Sequence, residues 1–175
     1  MSVHETIDNG IAILTMDNPP VNALNSTDAY FIAEKICSYS NQKNNIKVVL
    51  LRSSGNGFCA GVDIKEMQGL PENEGILKAN HSCYEMADAI HNSKIPVIVA
   101  VNGHCLGSGI LIAGSADIVI ASDDATFGLP EVDNGALGGA SHLMRLVPPQ
   151  KARWMLYTCE TATAQELFSY GSVLQ

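Results

Sequence analysis

An α/β layered fold with largely parallel strands is predicted by three features of the sequence. Short apolar runs rich in Val and Ile recur at 11–16, 48–52, 97–101 and 118–121, each of strand length. Longer stretches between them repeat apolar residues every three to four positions, as helices do. Glycine-containing turns follow the second and third runs, where a strand must hand over to the next helix.

Taken in order, Ile11–Met16 forms the first strand, and Asp17-Asn18-Pro19-Pro20 ends it with turn chemistry. Ser26 is a plausible N-cap for a helix with Ala29, Ile32, Ile36 and Tyr39 down one face. Residues 41–45 are a polar break. Val48–Arg52 is a buried strand, followed by the loop Ser53-Ser54-Gly55-Asn56-Gly57 and a short helix within 58–67. Residues 70–78 read as mobile surface. A second helix then sets Cys83, Met86, Ala87 and Ile90 on one side and ends near Asn92.

The stretch 95–109 organises the rest. Pro96 opens the run Val97–Val101, which reads as a strand buried on both faces. Asn102-Gly103 turns the chain, and Gly107 and Gly109 lead into Ile110–Ala113, too apolar all round for a surface helix. Residues 126–135 read as a loop punctuated by Gly and Pro, and 138–149 as short helices broken by Gly138-Gly139 and Pro148-Pro149. Thr163-Ala164-Gln165-Glu166 is a capping box for a last helix that stops at Gly171.

At 175 residues, with 46% hydrophobic and 16% charged residues, the chain is long enough for one domain with a sizeable core. A net charge of −8 with no basic stripe argues against nucleic acid. Five scattered cysteines without a CxxC pair read as reduced thiols, mostly buried. No secretion signal or membrane-length apolar run is visible, so the expectation is a soluble cytoplasmic protein with no membrane partner. No ligands stand at metal spacing. A buried strand, a glycine turn and a helix start together leave backbone N–H groups facing a crevice, which is an anion site.

Three blocks carry a family resemblance: Asn18-Pro19-Pro20-Val21-Asn22-Ala23-Leu24-Asn25, Phe58-Cys59-Ala60-Gly61-Val62-Asp63-Ile64-Lys65-Glu66-Met67, and the segment 97–135 ending Phe127-Gly128-Leu129-Pro130-Glu131. In order and spacing they resemble the crotonase (enoyl-CoA hydratase/isomerase) family. The resemblance implies a crotonase-like spiral of ββα units, with largely parallel sheets flanked by helices. It further implies an acyl-CoA thioester partner, assembly as a homo-oligomer (trimer or hexamer), and coenzyme A only as part of the substrate, with no permanently bound cofactor. By the same resemblance the backbone N–H groups of Val62 and Ser108 hold the thioester oxygen as charge develops on it. Each is read as following a glycine at the head of a helix. Removing one such donor typically costs about 3 kcal/mol. Ala23, Leu24, Ala60, Asp63, Ile64, Lys65, Gly107 and Leu111 are the implied substrate contacts, with the 60–66 segment meeting the adenine and Lys65 near a phosphate.

Hydratases of the family use two glutamates. The one on the Pro-Glu loop is Glu131; where the helix glutamate would fall, this chain has Leu111. Leucine transfers no protons and makes that wall dry, so simple hydration is disfavoured. A single carboxylate suffices to move a double bond, or to activate water for hydrolysis of a thioester or of a C–C bond beside a ketone. The reading ranks hydratase/isomerase chemistry first, with isomerisation ahead of hydration, then an acyl-CoA hydrolase, then a catalytically silent acyl-CoA-binding or assembly module. Asp133 reads as a turn-former. His104 reads as a structural histidine that could also line the pocket. Gly107-Ser108-Gly109 is not a serine-nucleophile elbow, because Leu106 stands where its first glycine belongs. Family members continue beyond this length into pocket-closing helices, so the expectation is one core domain over 1–175 that lacks that segment and leaves apolar surface for a partner.

Overall fold

In the computed structural model, which describes residues 2–39, 45–71, 73–134 and 138–174, the chain opens with a hairpin. Strand β1 (Val3–Asp8) pairs antiparallel with β2 (Ile11–Met16). The turn is Asn9-Gly10, both at positive φ (47° and 85°), the pairing that favours a tight hairpin. The dipeptide was in plain view, but β1 alternates weakly and stays largely exposed, so hydrophobic pattern alone does not flag it.

Helix α1 (Ser26–Tyr39) returns the chain to β3 (Val48–Ser53), parallel to β2. The N-cap is Asn25 and not Ser26: Asn25 Oδ1 accepts from Asp28 N at 2.8 Å, and Asn25 Nδ2 donates to the Asp28 carboxylate at 2.7 Å. Ser26 N instead donates to Glu66 Oε2 at 2.7 Å. Helices α2 (Ile64–Gln68) and α3 (Glu74–His91) lead to β4 (Val97–Val101). Helix α3 begins inside the stretch expected to be loose surface. Its first turn lies against the end of α2, so closely that a Cβ on Gly75 would fall 2.1 Å from Met67 O. That contact, not an apolar repeat, starts the helix; Ile76 and Leu77 remain exposed.

After β4 come a short strand β5 (His104–Leu106), helix α4 (Ser108–Ser115), β6 (Ile118–Ala121) and β7 (Thr126–Gly128). A 3-10 turn over Val132–Asn134 precedes α5 (Ala140–Leu143), α6 (Pro149–Thr158), β8 (Ala162–Thr163) and α7 (Ala164–Ser169). The Thr163/Glu166 capping box opens α7. One sheet runs β1-β2-β3-β4-β6, parallel from β2 onward, and a second runs β5-β7-β8. Part of the expected 126–135 loop is therefore strand β7, parallel to β5. Three residues is too short a run for its pattern to stand out. The Gly135 end of that expectation and most of the 41–45 break lie outside the described residues.

The core joins alternate strand residues (Leu14, Val49, Leu51, Val97, Val99, Val101) to Ile32 and Ile36 of α1, Met86 and Ile90 of α3, and Ile110 and Ile112 of α4. In β4 only one face is fully buried; Ile98 and Ala100 are half-buried, a correction to the expectation of two covered faces. Helix α4 is as central as its composition suggests, with every residue buried except Leu111. Among the described residues no helix is long and apolar enough to cross a membrane.

Candidate active site

Three backbone segments are laced together at one end of the main sheet. Leu24 N donates to Gly61 O (2.8 Å) and Asp63 N to Leu24 O (2.9 Å), so residues 23–24 run alongside 60–63. Leu106 N donates to Cys59 O (2.8 Å), and Gly107 N to Gly128 O (3.2 Å). The β5/β7 pairing thus carries the Pro130-Glu131 turn to the start of α4. Asn22, buried at φ 53°, fixes the entry to this lacing: it donates to Ser54 O and Gly57 O and accepts from Asn18 N.

The two glycine loops touch. A Cβ on Gly107 would lie 3.0 Å from Gly61 Cα and 3.1 Å from Glu131 Oε1. Gly107 has φ 55° and ψ −115°, a conformation that is essentially glycine-only. The space that any other residue would fill is where Gly61, Gly107 and Glu131 converge.

Neither Val62 N nor Ser108 N has a hydrogen-bond partner among the described residues. Ser108 N is the first amide of α4, whose N-cap Gly107 offers no side chain to cover it; the helix field acts there. Val62 differs from its expectation. It precedes the cap Asp63, whose carboxylate takes the amides of Lys65 and Glu66. Its N–H is free because of the loop, and α2 adds little field to it. Ser108 Oγ points away toward Cys59 Sγ (3.5 Å), which removes the serine from any nucleophilic role.

Glu131 is partly buried, and its Oε2 is buried without a hydrogen-bond partner among the described residues. Burial pushes its carboxyl above the ordinary range, offset only in part by a hydrogen bond from its own backbone. Leu111, one turn along α4 from Gly107, meets Leu129 across Gly139: a Cβ there would be 3.1 Å from Leu111 Cδ1 and 3.0 Å from Leu129 Cδ2. That wall is dry. Asp133 is exposed in the 3-10 turn, as a turn-former should be.

Of the other expected contacts, Ala23, Ala60 and Asp63 are half-exposed, Leu24 is buried, and Ile64 and Lys65 are exposed on α2. They form one edge beside the glycine loops. His104 is structural: Nε2 lies 3.0 Å from Val21 O.

Cys59 is more than the buried thiol its sequence suggests. Its sulfur accepts from Gly61 N at 3.4 Å and touches Ser108 Oγ, and both Cys59 and Cys105 pack under Gly109. It clamps the two loops carrying the free amides. Its place two residues before Gly61 was the available signal. Burial raises its pKa, against the hydrogen bonds from Ser108 and the neighbouring backbone.

A family model described as enoyl-CoA hydratase/isomerase matches residues 6–175. The chain is 46% identical over 176 residues to the (7aS)-7a-methyl-1,5-dioxo-2,3,5,6,7,7a-hexahydro-1H-indene-carboxyl-CoA hydrolase of Rhodococcus jostii (strain RHA1), covering 100% of this chain and 68% of that protein. It is 32% identical over 173 residues to a probable enoyl-CoA hydratase of Bacillus subtilis (strain 168), covering 95% of this chain and 66% of that one. The crystal structure of an enoyl-CoA hydratase from Mycobacterium smegmatis superposes with a TM-score of 0.91 at 28% identity, over 99% of this chain and 68% of the other.

Proposed function

The chain belongs to the enoyl-CoA hydratase/isomerase family, and from that membership and the geometry of its site we propose that it hydrolyses an acyl-CoA, with Glu131 activating the water. The observation that carries this reading is the Glu131 carboxyl, partly buried beside Gly107 with one oxygen unpartnered, next to two free amides. The relative named as an indene-carboxyl-CoA hydrolase supports placing hydrolysis ahead of the hydratase/isomerase chemistry that the sequence ranked first.

In this reading the thioester oxygen sits between Val62 N–H and Ser108 N–H. Glu131 takes a proton from water as the hydroxide oxygen bonds to an electrophilic carbonyl carbon. If that carbon is the thioester's, the tetrahedral oxyanion rests on the two amides, and collapse breaks the C–S bond as Glu131 passes its proton to the departing sulfur. If it is a ketone joined to the α-carbon, collapse breaks the C–C bond. The electron pair passes into a thioester enolate held by the same amides, and Glu131 returns its proton to the α-carbon. Both routes consume one water and restore the carboxylate. A general base of raised pKa is well matched to neutral pH, where such catalysis is worth roughly 10²–10⁴-fold.

The Glu131→Gln variant tests the assignment. Turnover of a cyclic acyl-CoA panel should fall by about 10²-fold or more, with CoA-ester affinity close to wild type. Mass analysis of the product distinguishes the bonds: one added water with CoA retained for C–C cleavage, free thiol for thioester cleavage. Turnover undiminished by the variant would remove Glu131 from the chemistry. A second reading, double-bond isomerisation, is favoured by Leu111, because one carboxylate over a dry wall can shuttle a proton without supplying water.

A further inference from the structure

Residues 23–26 and 60–66 are joined by a ladder whose last rung is a side chain. Leu24 N donates to Gly61 O at 2.8 Å and Asp63 N to Leu24 O at 2.9 Å, a parallel bridge between Leu24 and Val62. In such a bridge the bonds are made by the neighbours of Val62, so its own N–H turns to the opposite side. That side holds the start of α4: a Cβ on Gly61 would lie 3.7 Å from Gly107 Cα and 4.0 Å from Ser108 N. The register of Leu24 on Val62 therefore decides whether the two free amides converge.

One bridge leaves a register weakly held. The next contact along the pair is Ser26 N, which donates to Glu66 Oε2 at 2.7 Å. Ser26 is 3% exposed in the first turn of α1, where amides have no intrahelical partner. Asn25 Oδ1 takes the Asp28 amide there, and the Glu66 carboxylate takes that of Ser26, favoured by the helix field. Glu66 N donates to Asp63 Oδ1 at 3.3 Å, so the carboxylate is delivered by the turn that begins one residue after Val62. Its other oxygen accepts from Lys78 Nζ at 2.8 Å, with the lysine side chain 43% exposed. Burial works to raise the Glu66 pKa, but the bonds from Lys78 and Ser26 outweigh it and hold the carboxyl below its ordinary range. Lys78 stands on α3, which further along supplies Cys83 and Ala87 to a cavity of about 490 Å³ between α3, α4 and α5, lined also by Leu111 and His142.

We propose that Glu66 is a positioning residue for the reaction: by tying Ser26 to α2 it locks the Leu24/Val62 register and so aims the Val62 N–H at the thioester oxygen. Glu66 touches no reacting atom and acts through the backbone it fastens. Its bond to Ser26 carries the role, and the exposed ion pair with Lys78 adds little. The inference rests on the acyl-CoA reading above and adds the device that sets one of its two donors.

Steady-state kinetics on crotonyl-CoA and the cyclic acyl-CoA panel, with amide hydrogen exchange on the substrate-free protein, test it. Glu66→Ala should lower kcat about tenfold, part of the 10²–10³-fold that complete loss of one donor costs, with KM within twofold of wild type. Glu66→Gln, whose side-chain oxygen still accepts from Ser26, should restore kcat to within about threefold. Lys78→Met should leave kcat within twofold. In Glu66→Ala the Leu24 and Asp63 amides should exchange about tenfold faster, with Leu51 of β3 unchanged. A rise in KM alone, a glutamine variant no better than alanine, or a Lys78→Met loss equal to that of Glu66→Ala overturns the positioning role. Exchange at Leu24 and Asp63 that ignores the substitution, beside intact wild-type turnover, overturns it while the acyl-CoA reading stands. A wild-type protein that turns over none of these esters overturns the acyl-CoA reading and this role with it, whatever the exchange shows.

Discussion

The laced glycine loops and the α3–α4–α5 cavity meet at Leu111, yet they are built in opposite ways. At the loops, functional groups are backbone amides fixed by other backbone groups, as in Leu24 N to Gly61 O and Leu106 N to Cys59 O. Along the cavity they are side chains drawn from α3, α4 and the 138–145 segment, held by packing. Backbone amides place charge stabilisation where it costs no reorganisation. Side chains on separate helices can be exchanged singly without disturbing that placement. The contrast teaches that one half of the molecule is set by backbone geometry and the other by side chains that can be exchanged one at a time.

Substituting Gly107 by alanine should break the first half most severely. The added Cβ would press on Gly61 Cα and Glu131 Oε1 at once, in a conformation that costs a non-glycine residue of order 1–3 kcal/mol. Turnover should fall by about 10²–10³-fold, as when one oxyanion donor is lost, while circular dichroism still shows a folded chain. A steady-state rate within a few-fold of wild type would mean the loops tolerate rearrangement and their contact is not the organising feature.

Next in size is the pH response of Glu131. Its folded-state pKa is raised, so the native state holds a proton that the unfolded chain gives up. Stability therefore falls as pH rises from the unfolded value through the folded one, then levels off. Glu131→Gln should melt at a higher temperature than wild type near about pH 7.5, with the gap closing near about pH 4. Wild-type turnover should rise with pH through the raised value, since the base must be ionised. Melting differences that ignore pH would show the carboxyl is better solvated than its geometry indicates.

The smallest effect sharpens the other side. A Cβ on Gly114 would fall 2.4 Å from His142 O, so Gly114→Ala must push α5 outward, an overpacking costing about 1–3 kcal/mol. Affinity for bulky cyclic esters should change several-fold, and turnover of a short-chain ester much less. Equal effects on both would mean the cavity and the loops are mechanically one unit.

The same division decides what the sequence made legible. The residues alone gave a glycine turn and a helix start at 95–109; the pairing of Gly61 with Gly107 and the placing of Glu131 came through the family resemblance, and the close approach of the two glycines appears only in the folded chain. The parallel strands and the α4 core were legible from their Val and Ile runs. Strands β5, β7 and β8 were not, being two or three residues long and defined only by their partners. Helix α3 began earlier than its apolar repeat because a contact with α2 starts it. Asn25 is the cap because its Oδ1 takes the Asp28 amide, while Ser26 already lies inside the helix with its own amide on Glu66, forty positions away. The α3–α4 cavity had no sequence signal at all: Cys83, Leu111 and His142, which line it, come from distant parts of the chain.

The clamp formed by Cys59 has a practical use. The thiolate, not the thiol, is the form that attacks an alkylating reagent. Cys37 is exposed, while Cys59 and Cys105 are enclosed with pKa values pushed up by burial. Under an alkylating reagent, Cys37 is modified at once and Cys59 only when the two loops part. The slow phase of modification, followed by peptide mass at Cys59 apart from the buried Cys83 and Cys105, then clocks how often the glycine loops spring open, using a reporter that nature has already installed.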